Sequence, residues 1–131
     1  MIDHTGVTVS DFARSKAFYA AALGAIGYQK LLEFGPEVTQ STSVAGFGEP
    51  PKPDFWIAQG EPNRPAIHVA FRVRTRATVR AFHAAALQAG GTCNGPPGVR
   101  SHYHPNYYGA FVHCPDGHNI EAVCHEPEDL S

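Results

Sequence analysis

Two histidines and one glutamate carry the most suggestive chemistry in this chain. His4 and His68 stand 64 residues apart, and an ungapped shift by that distance aligns two segments of the sequence. Residues 4–27 (HTGVTVSDFARSKAFYAAALGAIG) and 68–91 (HVAFRVRTRATVRAFHAAALQAGG) share eleven of 24 positions. Alanines inflate the match, but His4/His68, Val9/Val73, Phe18/Phe82, Leu23/Leu87 and Gly27/Gly91 are not explained by alanine richness. Two imidazoles at equivalent places in a duplicated unit can approach each other near a pseudo-twofold axis. Glu121, in Asn119-Ile120-Glu121-Ala122-Val123, is the matching carboxylate. Two His and one carboxylate with open positions form the facial pattern of non-heme iron sites, and the same donors suit Fe²⁺, Mn²⁺, Zn²⁺ or Ni²⁺. The expected metal ligands are His4, His68 and Glu121.

The elements that must position these groups follow from periodicity. In each copy a period-two run precedes an alanine-rich helix. Asp11 or Ser10 is expected to cap the first helix and Thr75 the second, with Gly24, Gly27 and Gly90-Gly91 marking their ends. Strand-like runs follow at about 28–34, 42–47 and 54–59, then at about 92–95, 107–114 and 119–125, separated by Pro-rich stretches. The expected fold is α+β, with two βαβββ modules curling into one cup-shaped, mostly antiparallel sheet and helices on its outer face. Residues 1–131 read as a single domain, with module 1 at about 1–60, a linker at 61–65 and module 2 at about 66–131. Alternation puts Val7, Val9, Val69, Phe71 and Val73 under the helices and turns His4, His68 and Glu121 into the cup. Burying an unpaired carboxylate is costly, so Glu121 needs a partner: a metal centre, or an ion pair with Arg72 or Arg100.

Composition excludes several classes. The formal net charge is −2, without basic or acidic runs, which argues against nucleic acid or membrane-surface binding. Three cysteines without a CxxC pair argue against a disulfide framework; they read as small buried hydrophobes in a reducing compartment. The sequence shows no signal-peptide pattern or transmembrane run, and a cytoplasmic location is expected.

Between two strands lies RSHYHPNYYG, a polar-aromatic loop. It reads either as a packed loop with aromatic anchors or as a substrate loop at the cup mouth. In the second reading His102 and Tyr108 join Glu121 as catalytic groups, while Arg100, Tyr103 and Tyr107, together with Trp56, bind substrate. The His102-x-His104 pair alone is a weak metal signal. His118, in the turn Pro115-Asp116-Gly117-His118, reads as structural.

The stretches IDHTGVTVSDFARSKAFY, HVAFRV and above all HCPDGHNIEAV resemble the vicinal oxygen chelate superfamily, the glyoxalase/bleomycin resistance protein/dioxygenase family. The resemblance implies paired βαβββ modules with metal ligands on the first strand of each module and on the last strand, the places of His4, His68 and Glu121. Glyoxalase and the epimerase of this family use a fourth ligand, which would fall here on Trp56 or Ile57; neither binds metal, so lactoylglutathione lyase activity is not implied. The expected function is a metal-dependent lyase, isomerase or dioxygenase acting on a small oxygen-chelating molecule by Lewis-acid chemistry. The rival expectation is a metal-free, drug-sequestering protein of the bleomycin-resistance kind, with Trp56, Tyr103, Tyr107 and Tyr108 holding a planar ligand. The resemblance also implies a possible homodimer. In a module-swapped arrangement His4 would meet His68 and Glu121 of another subunit.

Overall fold

The structure is a computed structural model, and it describes residues 1–128. Module 1 comprises β1 (Thr5–Val9), α1 (Phe12–Gly24), β2 (Gln29–Phe34), a short α2 (Pro36–Thr39), β3 (Val44–Gly48) and β4 (Phe55–Gln59). Module 2 comprises β5 (His68–Arg72), α3 (Arg76–Gln88), β6 (Thr92–Val99), β7 (Tyr108–His113) and β8 (Asn119–Cys124). The repeat is therefore a structural one. Of its elements only α2 had no counterpart in the sequence reading; Pro36 opens it and Gln40 ends it in the left-handed region at φ 59°.

Local chemistry explains the ends of the helices. The Asp11 side chain accepts the Arg14 N–H, and the Thr75 side chain accepts the Thr78 N–H, each satisfying an otherwise unpaired first-turn donor. Gly27 and Gly90 adopt positive φ just beyond the helices, where a side chain would be strained.

The strands form two separate four-stranded sheets, ordered β1-β4-β3-β2 and β5-β8-β7-β6. Each has one parallel pair (β1/β4 or β5/β8) and two antiparallel pairs. The expected α+β fold of paired βαβββ modules is met, and its strands fall into two four-stranded sheets with β1 and β5 each at a sheet edge.

Alternation assigns the faces as expected. Val7 and Val9 of β1, Phe71 of β5 and Val73 just beyond it are buried in the core. Val69 is only half-buried, packed on the margin of the core. From α1 come Phe18, Tyr19, Ala22 and Leu23, and from α3 come Val79, Phe82 and Ala86. The helices lie against each other, and one cluster of buried residues runs through both modules. Phe55 of β4 meets Phe71 of β5 edge-on, with ring centroids 5.4 Å apart. Fully burying a side chain of this kind contributes roughly 1.5–3 kcal/mol, so the joined helix-side core is the main attachment between modules.

A polar clasp adds to it. Asp116 of the β7–β8 turn accepts both the Ser10 N–H and the Ser10 hydroxyl. The buried His118 ring accepts the Ile67 N–H at Nδ1 and donates from Nε2 to the Thr8 carbonyl, each at 3.0 Å. The structural role read for His118 is thus met.

Cys114 and Cys124 are buried, but Cys93 is exposed: it sits on the edge strand β6, level with Val112 on the helix side, with its sulfur 3.2 Å from His83 Nε2 of α3. No helix among the described residues is long and apolar enough to cross a membrane.

Candidate metal centre

On the open face of the second sheet, β5 and β8 run parallel, with Ala70 level with Glu121 and His68 level with Asn119. Shared parity brings the His68 and Glu121 side chains together. His68 Nε2 lies 2.9 Å from Glu121 Oε1. Glu121 is 1% exposed, whereas the His68 side chain is half exposed. The other carboxylate oxygen, Oε2, accepts the Tyr107 hydroxyl. Phe111, level with Glu121 on β7, packs beside His68 with ring centroids 6.2 Å apart.

The ion-pair alternative for Glu121 fails. Its hydrogen-bonding partners are His68 and Tyr107. Arg100 instead donates to the carbonyls of Gly98 and Pro96, and its guanidinium lies over the Phe111 ring. Among the described residues no Lys or Arg bonds this buried carboxylate, which is met by an imidazole and a phenol, and these donors are of the kind that can hold a divalent cation. The spacing fits as well. Two donors bound about 2.1 Å from one ion at angles of 90° or a little more sit about 3 Å apart, the separation seen between Nε2 and Oε1.

His4 lies elsewhere. Its Nδ1 is 2.7 Å from the Asp3 carboxylate, which also pairs with Lys52 at 3.0 Å. These contacts, the His4 hydrogen bond foremost, hold the Asp3 carboxyl below its ordinary range. A proton held at Nδ1 leaves Nε2 free as a ligand. The His4 ring lines a cavity of about 640 Å³ in module 1 with Gly6, Phe34, Val44 and Trp56. Among the described residues no three His, Cys, Asp or Glu side chains converge on one point. A single chain brings together two of the three expected ligands and not the third.

Strand pairing resolves the register at Trp56. Gly6 is level with Trp56 as Ala70 is level with Glu121, and Gly6 and Ala70 are equivalent in the repeat. Trp56, not Ile57, therefore stands where module 2 has Glu121. Its neighbour on β3 is Gly46, the counterpart of Phe111. A Cβ on Gly46 would lie 2.9 Å from two atoms of the indole, so the missing side chain there lets the ring lie down on the sheet.

The loop before β7 divides its residues. Tyr107 faces the carboxylate, while Tyr108 points to the helix side, where Arg80 donates to its hydroxyl and Arg76 covers its ring. The expectation that Tyr108 joins Glu121 is corrected by this one-residue parity: adjacent residues at a strand's start face opposite ways. His102 packs on Tyr103, with ring centroids 4.1 Å apart, and Tyr103 packs on Tyr107 at 4.8 Å. His102 is thus linked to the site through rings, not through a bond to Glu121. His104 pairs with His125 (Nε2 to Nδ1, 2.7 Å) and not with His102. Sequence reasoning missed Phe111, Phe34 and Val44 as lining residues. The parity that Phe111 shares with Gly109 and His113 was the signal that could have found the first.

Comparison with known proteins adds context. The model of the Glyoxalase/Bleomycin resistance protein/Dioxygenase superfamily matches residues 1–122. No curated protein matches the chain. A crystal structure of a glyoxalase/bleomycin resistance protein from Albidiferax ferrireducens T118 is 29% identical with a TM-score of 0.74, covering 93% of this chain and 97% of that one. A glyoxalase/bleomycin resistance protein/dioxygenase family enzyme from Burkholderia phytofirmans PsJN shares 19% identity at a TM-score of 0.69, covering 95% and 98%. A variant of the fosfomycin resistance protein FosX from Listeria monocytogenes, solved with Mn(II) and 1S,2S-dihydroxypropylphosphonic acid, shares 16% identity at a TM-score of 0.66, covering 99% and 93%.

Proposed function

The chain belongs to the Glyoxalase/Bleomycin resistance protein/Dioxygenase superfamily, and from that premise we propose that it is a metal-dependent enzyme acting on a small oxygen-chelating molecule. The observation that carries this reading is the His68–Glu121 pair, a buried carboxylate oxygen 2.9 Å from an exposed imidazole nitrogen. His68 and Glu121 would hold a divalent ion, of the Fe, Mn, Zn or Ni kind. When bound, such an ion polarises substrate oxygens and stabilises developing negative charge on them.

The third ligand in this reading is His4 of a second copy. His4 opens on its own cavity and offers a free Nε2, while His68 and Glu121 await one more donor. A homodimer that sets module 1 of one copy against module 2 of the other would complete two identical sites. The polar wall (His68, Glu121, Tyr107) would then face the apolar wall (Phe34, Val44, Trp56) across one cup. Arg100, tied to two carbonyls over Phe111, supplies a fixed positive charge for an anionic part of the substrate. Trp56 and Tyr103 supply apolar surface, and His102 is the base nearest the rim in this reading. Trp56 at the place of Glu121 supports an activity other than that of lactoylglutathione lyase.

The rival reading, a metal-free binder of a planar molecule, draws on the apolar cavity around Trp56. One experiment separates the two. Protein purified without a metal-affinity tag is analysed for bound metal, alone and as His68→Ala, Glu121→Gln and His4→Ala. About one ion per chain, lost in each variant, supports the enzyme reading; metal content unchanged in His68→Ala overturns it.

A further inference from the structure

We propose that Tyr107 is a positioning residue that fixes the Glu121 carboxylate, committing Oε2 to its own hydroxyl so that Oε1 alone is presented beside His68. This rests on the metal-centre reading above and goes beyond it by assigning a role to a residue that need not touch ion or substrate. Three independent features of the structure support it.

The first is the differentiation of the carboxylate. Oε2 accepts the Tyr107 hydroxyl and Oε1 lies 2.9 Å from His68 Nε2. With both oxygens engaged from different sides, the carboxylate cannot turn about its last bond without losing a partner. A ligand held in one orientation binds an ion without first having to be ordered.

The second is the path by which Tyr107 reaches Glu121. Gly109 stands between them on the same face of β7. A Cβ there would lie 3.3 Å both from Glu121 Oε2 and from Tyr107 Cε1, tighter than an ordinary contact. The absent side chain leaves the lane through which the phenol reaches the carboxylate.

The third is that the phenol is itself braced. Its ring meets Tyr103, His104 and His125 edge-on, with centroids 4.8, 5.5 and 5.4 Å away. His104 accepts the Asn106 N–H at Nδ1, which puts its own proton on Nε2, and Nε2 donates to His125 Nδ1 at 2.7 Å. The histidine pair thus ties the loop to the end of β8 and closes a box around the tyrosine.

The test is calorimetric titration of apo protein with Co²⁺, followed in parallel by the visible absorption of the bound ion. The proteins compared are wild type, Tyr107→Phe and, as the non-binding reference, Glu121→Gln. Phenylalanine keeps the ring contacts and removes only the hydroxyl. Tyr107→Phe should weaken Co²⁺ binding about 10- to 100-fold at unchanged stoichiometry and alter the absorption band. Wild-type affinity in Tyr107→Phe, or an absorption band identical to wild type, would overturn the positioning role while leaving the metal centre standing. No Co²⁺ binding by wild type would overturn the role together with the reading beneath it.

Discussion

His118 donates from Nε2 to the carbonyl of Thr8, 110 residues earlier, and so ties the last turn of module 2 to the first strand of module 1. Its other nitrogen accepts the Ile67 N–H, and the ring is fully buried. Replacing it by leucine leaves a backbone donor and a backbone acceptor without partners inside the protein. His118→Leu should destabilise the fold by about 2–4 kcal/mol. Urea unfolding would show this as a lower midpoint at unchanged slope; an unchanged midpoint would mean that the clasp does not hold the modules.

The shared-site arrangement predicts complementation between two defective proteins. A His4→Ala chain keeps His68 and Glu121, and a Glu121→Gln chain keeps His4. Unfolded together and refolded as a mixture, half the dimers would be mixed, and each would carry one intact site. Metal binding should return to about a quarter of the wild-type value from near zero in either parent. No recovery, with mixed dimers demonstrated by mass spectrometry, would place the sites within single chains or nowhere.

Trp56 is the single tryptophan of the sequence, so its fluorescence reports one place. In Gly46→Ala the new methyl would lie 2.9 Å from two indole atoms and 3.0 Å from Pro53 Cβ, forcing the ring off the sheet. The expected result is a red-shifted emission with a stability loss of about 1–3 kcal/mol. Emission identical to wild type would show that the ring does not rest on Gly46.

Alkaline titration should separate the tyrosines. Burial raises Tyr19 well above its ordinary value, and burial followed by the Asp54 hydrogen bond raises Tyr28. A group raised in the folded state contributes stability that is whole below its unfolded value, about 10 for tyrosine, and is lost as pH climbs beyond that toward the folded value. Absorbance at the tyrosinate band should therefore stay incomplete at high pH until the protein unfolds, and Tyr28→Phe should flatten the alkaline loss of stability. Full reversible ionisation of all five tyrosines near their ordinary value would contradict the burial seen here.

Acid should act on Glu33, whose carboxyl is lowered by hydrogen bonds from Lys30 and then Lys16. A lowered carboxyl contributes stability above its unfolded value, about 4.3, and loses it as pH falls through the folded one. The pair is on the surface, so Glu33→Gln should cost less than about 1 kcal/mol at neutral pH, and less still in high salt. Unfolding curves at two ionic strengths would measure it.

Much of this molecule could be read without coordinates, because the signals involved are local. Period two placed Val7, Val9 and Phe71 on the helix side and turned His68 and Glu121 together to the opposite face of the sheet. The caps at Asp11 and Thr75 and the glycine stops fixed both helices, and the 64-residue repeat set the module count. One error and one open choice arose where one residue of register matters. Tyr107 and Tyr108 are neighbours with the same chemistry, and only the start of β7 decides which of them meets Glu121. Trp56 and Ile57 were equally eligible to match Glu121 until the pairing with Gly6 chose between them.

The sequence by itself determined the elements, their faces and the donors, since each depends on residues a few positions apart. Only the tertiary structure decided how the modules join. A helix-side core through Phe55 and Phe71, clasped by His118, leaves two separate open faces and keeps His4 away from His68 and Glu121. The same alternating strands are compatible with either a closed cup or this arrangement, because side-chain parity fixes the face of a sheet and not the neighbour that covers it.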